Sequence, residues 1–269
     1  MNRRRHREAV VWDPDQYLRY ADERGRPFRD LLARVPVVAP HRVFDLGCGP
    51  GNATAELAAR WPEAYVTGID NAPEMIDSAR EHARPGRLDF RLADVGAWAP
   101  GGGDAPVDVI VSNAALHWVP GHLALLPGWT DALAPGGAFA VQVPGNFADP
   151  THVLLGELAA SARWQDRLDG VALLRTEVGS ADQYLDVLAR PGFRVDAWET
   201  TYRHVLHGPD PVLGWVRGTA LRPVLAVLDP AGQAEFLAEY GALLADAYPP
   251  RPYGTVLPFR RIFAVAVKD

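Results

Sequence analysis

Hydrophobic and polar positions from residue 41 to residue 143 follow two alternating patterns. Short apolar or β-branched runs predict strands at about 42–46, 65–69, 87–92, 107–112 and 137–143. Between these runs, segments such as NATAELAARW and PEMIDSAREHA place apolar residues at helical spacing. Strands that alternate with helices in this way are typical of βαβ units and a parallel sheet.

The pattern changes after residue 146 and becomes mostly helical. Residues 150–190 and 210–248 have helical spacing, the segment FRVDAWETTYRHVL alternates as one long strand, and RRIFAVAVKD predicts the last strand. We therefore expect an α/β fold with a mostly parallel sheet of about seven strands, helices on both faces, and a helical cap.

The predicted domain organisation is simple. We expect a single domain over residues 11–269, with cap insertions at about 146–180 and 208–250. The first ten residues, MNRRRHREAV, are basic without an apolar stretch behind them, so they predict a disordered arm and not a secretory signal.

Composition excludes several classes of protein. The chain has 269 residues with 48% hydrophobic and 22% charged, which is typical of a globular protein, and no apolar run approaches the roughly 20 residues of a membrane span. The net charge is −6; subtracting the +4 of the arm arginines leaves −10, which argues against a nucleic-acid partner. The single cysteine, Cys48, favours a reducing cytoplasm. We expect a cytoplasmic monomer or weak homodimer without membrane partners.

A glycine-rich loop, GCGPGN at residues 47–52, follows the first predicted strand. Dinucleotide-binding proteins use G-x-G-x-x-G, but Asn52 stands where their final glycine or alanine belongs. Asp45 lies two positions before the first glycine, where its charge would repel a pyrophosphate and would suit a cationic ligand such as an α-ammonium group.

Two further carboxylates end the next predicted strands. Asp70 ends VTGID, where a carboxylate accepts hydrogen bonds from both ribose hydroxyls. Asp94 follows the third strand in RLADV, where it and the backbone N–H of Val95 could bind an adenine edge. An amino acid joined to a nucleoside without phosphates fits this set, and S-adenosylmethionine is such a molecule.

The fourth predicted strand leads into SNAALHW, residues 112–118. Methyltransferases acting on amino groups of DNA or protein glutamine carry an Asn/Asp-Pro-Pro-Tyr motif here, and this chain does not. His117 is either a general base for a hydroxyl substrate or, with Trp118, a wall beside the methionine end of the cofactor. No group of His, Cys, Asp and Glu has metal-ligand spacing, so no metal is expected.

Several segments resemble one family of class I S-adenosylmethionine-dependent methyltransferases. DLGCGPGNATAELAARWP, VTGID and SNAALHW are similar to the whole superfamily. WDPDQYLRYADERGRPFRDLLARV, VQVPGNFADPTHVL, TTYRHVL, WVRGTALRPVL and FRRIFAVAV resemble the trans-aconitate 2-methyltransferase family, over essentially residues 11–267. The resemblance implies a Rossmann-like fold and a carboxyl O-methyltransferase that esterifies a small polycarboxylate.

The resemblance and the acidic strand ends together predict the site residues. The predicted cofactor residues are Tyr17, Arg26, Asp45, Gly47, Cys48, Gly49, Gly51, Asp70, Asn71, Met75, Asp94, Val95 and Asn113. The predicted substrate residues are Arg222, Arg261, Tyr17, His117, Trp118, Asn146 and Tyr202. Paired guanidinium groups hold carboxylates well, so Arg222 and Arg261 come first, and Arg260 is expected on the opposite sheet face.

Two other hypotheses stay open at this point. One is an O-methyltransferase of a phenolic or other small natural product, with His117 as the base. The other, from a different class, is a nucleotide-sensing or NAD-binding module that transfers no methyl group.

Overall fold

The computed structural model describes residues 21–100, 106–173 and 178–269. The predicted arm at 1–10 and Tyr17 lie outside these residues. The strands are β1 (Arg42–Leu46), β2 (Tyr65–Asp70), β3 (Leu88–Leu92), β4 (Val107–Asn113), β5 (Leu133–Pro144), β6 (Phe193–Leu206) and β7 (Thr255–Lys268). The helices are α1 (Ala21–Leu32), α2 (Asn52–Arg60), α3 (Pro73–Ala79), α4 (Leu126–Asp131), α5 (Pro150–Ala159), α6 (Ala181–Leu188), α7 (Pro211–Arg217), α8 (Arg222–Leu225) and α9 (Pro230–Ala247).

The described chain divides into two compact units. Among the described residues, the larger unit comprises 22–100, 106–145, 178–202 and 259–269, and the smaller comprises 146–173 and 203–258 together with Ala21. Strands β1 to β5 belong wholly to the larger unit, and helices α5, α7, α8 and α9 belong wholly to the smaller one.

The seven strands form one sheet in the order β3-β2-β1-β4-β5-β7-β6. Strands β1 to β5 pair in parallel, whereas β7 runs antiparallel to β5. From β1 the chain adds β2 and β3 on one side of the sheet, and it then returns to add β4 and β5 on the other side. Strands β1 and β4 therefore flank a topological switch point. Ligands of such sheets bind beyond the carboxyl ends of the strands at this point.

Both faces of the sheet are covered within the larger unit. Helices α1 and α2 contribute Phe28, Leu31 and Leu57 to the apolar cluster on one face. Helices α4 and α6 contribute Trp129 and Tyr184 to the cluster on the other face. Strands β1, β4 and β5 are nearly continuous apolar runs because their side chains are buried on both faces of the sheet.

Helix α9 dominates the smaller unit and packs against α5 and α7. It begins after Asp229, whose carboxylate accepts a hydrogen bond from the Gly232 N–H at 2.8 Å. The hydroxyl of Tyr240 on α9 donates to the Thr151 carbonyl of α5. Trp164 packs edge-on against Phe236 with ring centres 5.0 Å apart. These contacts give the smaller unit an aromatic core of its own.

Within the described ranges, no helix combines the length and the apolar character that a membrane crossing requires.

Candidate active site

The glycine loop leaves the carboxyl end of β1 and leads into α2. The N–H groups of Gly47 and Cys48 both donate to the Ile69 carbonyl of β2, at 2.7 and 3.0 Å. Gly47 has φ +81°, and a Cβ there would lie 2.1 Å from the Cβ of Ala115. Glycine is required at this position both by the left-handed backbone and by the close approach. The loop is thereby held against the ends of β2 and of the segment that follows β4.

Asp45 lies in β1 immediately before this loop and is 1% exposed. One carboxylate oxygen, Oδ2, accepts a hydrogen bond of 2.7 Å from the Thr54 hydroxyl of α2. Burial raises the pKa of Asp45 to about 7, a rise that the Thr54 hydrogen bond opposes and the charge of Asp70 reinforces. A nearby cation lowers the pKa of a buried carboxyl group and so favours its ionised form. The raised pKa of Asp45 is therefore consistent with the predicted ammonium partner.

The raised pKa predicts a pH dependence of stability. Between about pH 4 and 7 the folded chain binds a proton at Asp45 that the unfolded chain has lost, so the free energy of unfolding falls as the pH rises through this window. The neutral isostere Asp45→Asn removes this titration. Without ligand, we expect the variant to match the wild type near pH 4 and to exceed it at pH 7.5 by up to about 4 kcal/mol. Urea unfolding at several pH values measures the difference; a difference independent of pH would contradict the assignment.

Asp70 ends β2 and holds the glycine loop through its carboxylate. Oδ2 accepts a hydrogen bond from the Gly49 N–H at 2.9 Å, and Oδ1 accepts one from the Ala72 N–H at 3.0 Å. A carboxylate oxygen has lone pairs for more than one donor, so these bonds leave acceptor capacity for ribose hydroxyls.

The remaining predicted adenosine residues lie after β2 and β3. Asn71 is exposed and Met75, on α3, is half-buried. Asp94 accepts a hydrogen bond from the Gly96 N–H at 2.9 Å, which turns the backbone after the third strand. Val95 is 6% exposed. Their roles toward adenosine stay predictions.

The end of β4 brings Asn113 and His117 into the same unit as the glycine loop. Asn113 ends the strand, and its Oδ1 is buried without a hydrogen-bond partner in the described part of the chain. His117 lies in a 3₁₀ helix, Leu116–Trp118, with its ring 5.0 Å from that of Trp118. Trp118 is 51% exposed, and its role as a wall residue stays a prediction.

His117 has a pKa lowered to about 3, by burial first and then by the positive charges of Arg261 and His122. The ring is therefore neutral near pH 7 but very weakly basic. A general base is most effective when its pKa lies near the working pH. This environment disfavours His117 as the base of a phenol methyltransferase.

Arg260 and Arg261 occupy adjacent positions in β7 and have opposite surroundings. Arg260 is exposed; its Nε donates to the Gly145 carbonyl at 2.8 Å and its Nη1 lies 3.2 Å from a Glu199 carboxylate oxygen. Arg261 is only 7% exposed, and its guanidinium carbon lies 4.3 Å from the centre of the Phe259 ring. The predicted opposite orientation of Arg260 is thus what the strand shows.

Tyr202 and Arg26, predicted for substrate and cofactor, meet each other in the larger unit. The Tyr202 hydroxyl donates a 2.6 Å hydrogen bond to Asp30 of α1, and the guanidinium carbon of Arg26 lies 5.1 Å from the Tyr202 ring centre. Burial and the Asp30 carboxylate raise the pKa of this phenol well above its usual range. Tyr202 is therefore a neutral hydrogen-bonding group at pH 7.

Two predicted substrate residues, Asn146 and Arg222, belong to the smaller unit, together with the aromatic residue Trp215. Asn146 is 4% exposed, and its carbonyl accepts a hydrogen bond from the Asp149 N–H at 3.0 Å. Arg222 is half-buried at the first position of α8. Trp215 stacks on His204 with ring centres 4.9 Å apart. The roles of Asn146 and Arg222 toward a substrate stay predictions.

Two residues of the larger unit were missed by the sequence analysis. Thr54, the partner of Asp45, is hidden within an ordinary helical pattern, and no local signal identifies it. Gln142 does have a signal, since it is a lone amide within the apolar run AFAVQVP of β5. It is 1% exposed, and neither polar atom of its carboxamide has a hydrogen-bond partner among the residues that the structure describes.

The residues at this edge fit a cationic nucleoside. Asp45, Asp70 and Asp94 place three carboxylates at or after the ends of three neighbouring strands. A Cβ built on Gly49 would meet no atom of the described residues within 4 Å. In the described residues, no group of three His, Cys, Asp or Glu side chains is arranged to hold a metal ion. The donor set suits S-adenosylmethionine, and this fold and site define a class I S-adenosylmethionine-dependent methyltransferase.

Comparisons with known proteins place the chain within that class. Residues 43–137 match the family model described as a methyltransferase domain. The chain is 56% identical over 264 residues to the trans-aconitate 2-methyltransferase of Streptomyces avermitilis, covering 96% of this chain and 97% of that protein. It is 55% identical over 268 residues to the protein of the same name from Streptomyces coelicolor, covering 97% of this chain and 88% of that protein.

A solved structure supports the fold. The plantazolicin methyltransferase in complex with a pentazolic analogue and S-adenosylhomocysteine has a TM-score of 0.51 at 16% identity, covering 96% of this chain and 92% of that one.

The chain belongs to the trans-aconitate 2-methyltransferase family. The predictions of the fold class, of the family, of methyltransferase activity and of S-adenosylmethionine as the cofactor are confirmed.

Proposed function

We propose that this protein transfers a methyl group from S-adenosylmethionine to one carboxylate of trans-aconitate, which gives a monomethyl ester and S-adenosylhomocysteine. The family membership supports the substrate class, because the curated relatives are named for this activity. The observation that carries the proposal in the structure is Arg261, a guanidinium only 7% exposed on the strand that pairs with β5. A buried guanidinium is well suited to hold a carboxylate.

The chemistry needs little from a base. The cofactor supplies an electrophilic methyl group on a positively charged sulfur. A new O–CH₃ bond forms as the CH₃–S bond breaks, and the electron pair of that bond stays on sulfur. The attacking carboxylate is already ionised near pH 7, so no proton has to be removed.

The protein therefore contributes alignment and exclusion of water. Asp45 and Asn113 are proposed to hold the amino-acid end of the cofactor, Asp70 the ribose, and Arg261 one carboxylate of the acceptor. His117, whose pKa is lowered to about 3, stands as a neutral wall. Arg222 stays a prediction as a second carboxylate-binding residue.

The wider predictions are also proposals. A small polycarboxylate is the proposed partner, without nucleic acid or membrane. The cytoplasmic location and the monomer or weak homodimer remain predictions from the sequence.

A methyl-transfer assay tests this function. Purified protein is incubated with S-adenosylmethionine and, separately, trans-aconitate, cis-aconitate, isocitrate and a simple phenol, and methylated products are identified by mass spectrometry. At saturating S-adenosylmethionine, we expect the highest kcat/KM with trans-aconitate and a rate that is nearly constant between about pH 6 and 8, since the nucleophile is ionised throughout. Methylation of the phenol alone, with loss of activity in His117→Ala, would instead establish the phenol methyltransferase. Binding of NAD without binding of S-adenosylhomocysteine would establish the nucleotide-binding module.

A further inference from the structure

Strand β5 carries an uncharged polar side chain in the sheet interior. Gln142 is 1% exposed, and both its Oε1 and its Nε2 are buried without a hydrogen-bond partner in residues 21–100, 106–173 and 178–269. Buried amides in folded proteins are almost always hydrogen-bonded, and exceptions concentrate where a ligand completes the bonding. Gln142 therefore needs an explanation beyond packing.

The register of the sheet shows what surrounds Gln142. On one side it pairs with Asn113, the last residue of β4, and on the other with Phe263 of β7. Two positions further along β5, Pro144 pairs with Arg261. Since paired residues lie on the same face and the side-chain period is two, Asn113, Gln142 and Arg261 share one face of the sheet.

The strand pairing sets the spacing between these residues. Neighbouring strands lie about 4.8 Å apart, so Gln142 is one strand spacing from Asn113. Arg261 is the diagonal neighbour of Gln142, at a typical separation of about 7 to 8 Å. Asn113 is a proposed cofactor residue and Arg261 a proposed acceptor residue. Gln142 therefore lies between the group that holds the methyl donor and the group that holds the methyl acceptor.

We propose that Gln142 binds and orients the acceptor carboxylate through its Nε2–H groups. This inference rests on the proposed function, and it assigns a residue that selects an anionic acceptor. A carboxylate only accepts hydrogen bonds, and the amide nitrogen offers two donors without a competing charge. A bond from Nε2 to one carboxylate oxygen leaves the other oxygen to attack the methyl group. In this arrangement Arg261 neutralises a carboxylate of the acceptor, and Gln142 orients the carboxylate that attacks the methyl group.

The test is the isostere Gln142→Met, which keeps the side chain's length and removes both polar atoms. Methyl transfer to trans-aconitate, binding of S-adenosylhomocysteine by calorimetry, and Tm are measured on the same preparations. We expect kcat/KM for trans-aconitate to fall about 30-fold, the Kd of S-adenosylhomocysteine to stay within about twofold, and Tm to stay equal or rise. Replacement of an unpaired buried amide by an apolar group of the same shape should not destabilise the fold.

A matched control is Thr67→Val in β2. Thr67 is 2% exposed in the same sheet and lies outside the proposed site. The substitution by valine removes its hydroxyl group without changing the shape of the side chain. We expect its kinetics to equal those of the wild type. A second variant, Gln142→Glu, keeps the shape and adds a negative charge, and should reduce kcat/KM more than Gln142→Met because the charge repels the acceptor.

The outcomes separate this inference from the proposed function. If the wild type methylates none of the carboxylic acids, the proposed function fails. If the wild type is active and Gln142→Met retains its kcat/KM with a higher Tm, the amide is only a packing residue and the inference is overturned. A large rise in the Kd of S-adenosylhomocysteine also overturns it, since Gln142 would then bind the cofactor. If Gln142→Met does not fold, Gln142→Glu decides by the same three measurements, and an unchanged KM there overturns the inference.

Discussion

Replacement of Arg261 by methionine should raise the KM for trans-aconitate about 100-fold while the Kd of S-adenosylhomocysteine changes less than about threefold. Arg261 is 7% exposed, and after burial its positive charge is the next cause that lowers the pKa of His117. A charged hydrogen bond or ion pair to a carboxylate in such a place contributes about 2 to 4 kcal/mol. A 100-fold change in KM corresponds to about 2.7 kcal/mol, which lies within this range. Methionine keeps the apolar stem beside Phe259, so the fold should be preserved.

The neighbouring residue supplies the control. Arg260→Met removes the same charge one position earlier in β7, where the side chain is exposed and is 3.2 Å from Glu199. An exposed ion pair contributes little to stability, and this arginine faces away from Arg261. We expect its KM to stay within about twofold of the wild type. Equal KM values in the two variants would show that Arg261 holds no carboxylate of the acceptor.

Replacement of Asp70 by alanine should weaken S-adenosylhomocysteine binding by about 100-fold or more. The wild-type carboxylate positions the loop through the N–H groups of Gly49 and Ala72, at 2.9 and 3.0 Å, and is proposed to accept the ribose hydroxyls as well. The proposed bonds to the two ribose hydroxyls are charge-assisted and contribute about 1.5 kcal/mol each, so their loss accounts for this effect. Calorimetric titration gives the Kd. Asp89→Ala, which removes an exposed carboxylate from β3, should leave the Kd unchanged.

A cofactor analogue separates the ribose contact from the positioning of the loop. The wild type should bind 2′-deoxy-S-adenosylhomocysteine more weakly than S-adenosylhomocysteine, because one hydroxyl donor is missing. Asp70→Ala should bind the two compounds equally, since the acceptor for that hydroxyl is gone. If the variant still discriminates as strongly as the wild type, another residue receives the ribose.

The buried parallel strands could be predicted closely from the sequence. Strand β1 has the predicted bounds 42–46, and β2 differs from its prediction by one residue. Strands covered on both faces consist of apolar runs, and these have clear ends where a carboxylate or glycine follows. The long strand β6 also matches its prediction, because one face is polar and the residues alternate.

The edges of the later strands were harder to predict. Strand β5 begins at Leu133, four residues before its predicted start at 137, and its register against β4 shifts between Val107 and Val109. Strand β7 begins at Thr255, five residues before the predicted RRIFAVAVKD. The first residues of β5 and β7 are decided by pairing with neighbouring strands, and the local sequence pattern contains no information about that pairing.

Partners distant in sequence could not be predicted at all. The hydroxyl of Tyr202 donates to Asp30, 172 positions away. The Thr54 hydroxyl of α2 donates to Asp45 of β1, which is only nine positions away, but this pairing has no local signal either. The sequence identifies Asp45 through its position before the glycines, but it does not show that burial raises the pKa of this group to about 7. Gln142 is visible in the sequence as a lone amide, yet only the register places it beside Asn113.

The position of β7 in the sheet has a consequence for synthesis on the ribosome. This strand inserts between β5 and β6, so a nascent chain that has already produced six strands still has a gap in its sheet. The glycine loop and the carboxylates of Asp45, Asp70 and Asp94 emerge about 170 to 215 residues before Arg261 and can order first. Because domains fold as units while the chain is made from its N-terminus, we expect a nascent chain with an ordered cofactor loop but no acceptor site until β7 leaves the ribosome. Recognition of the donor thus precedes recognition of the acceptor in the life of each molecule.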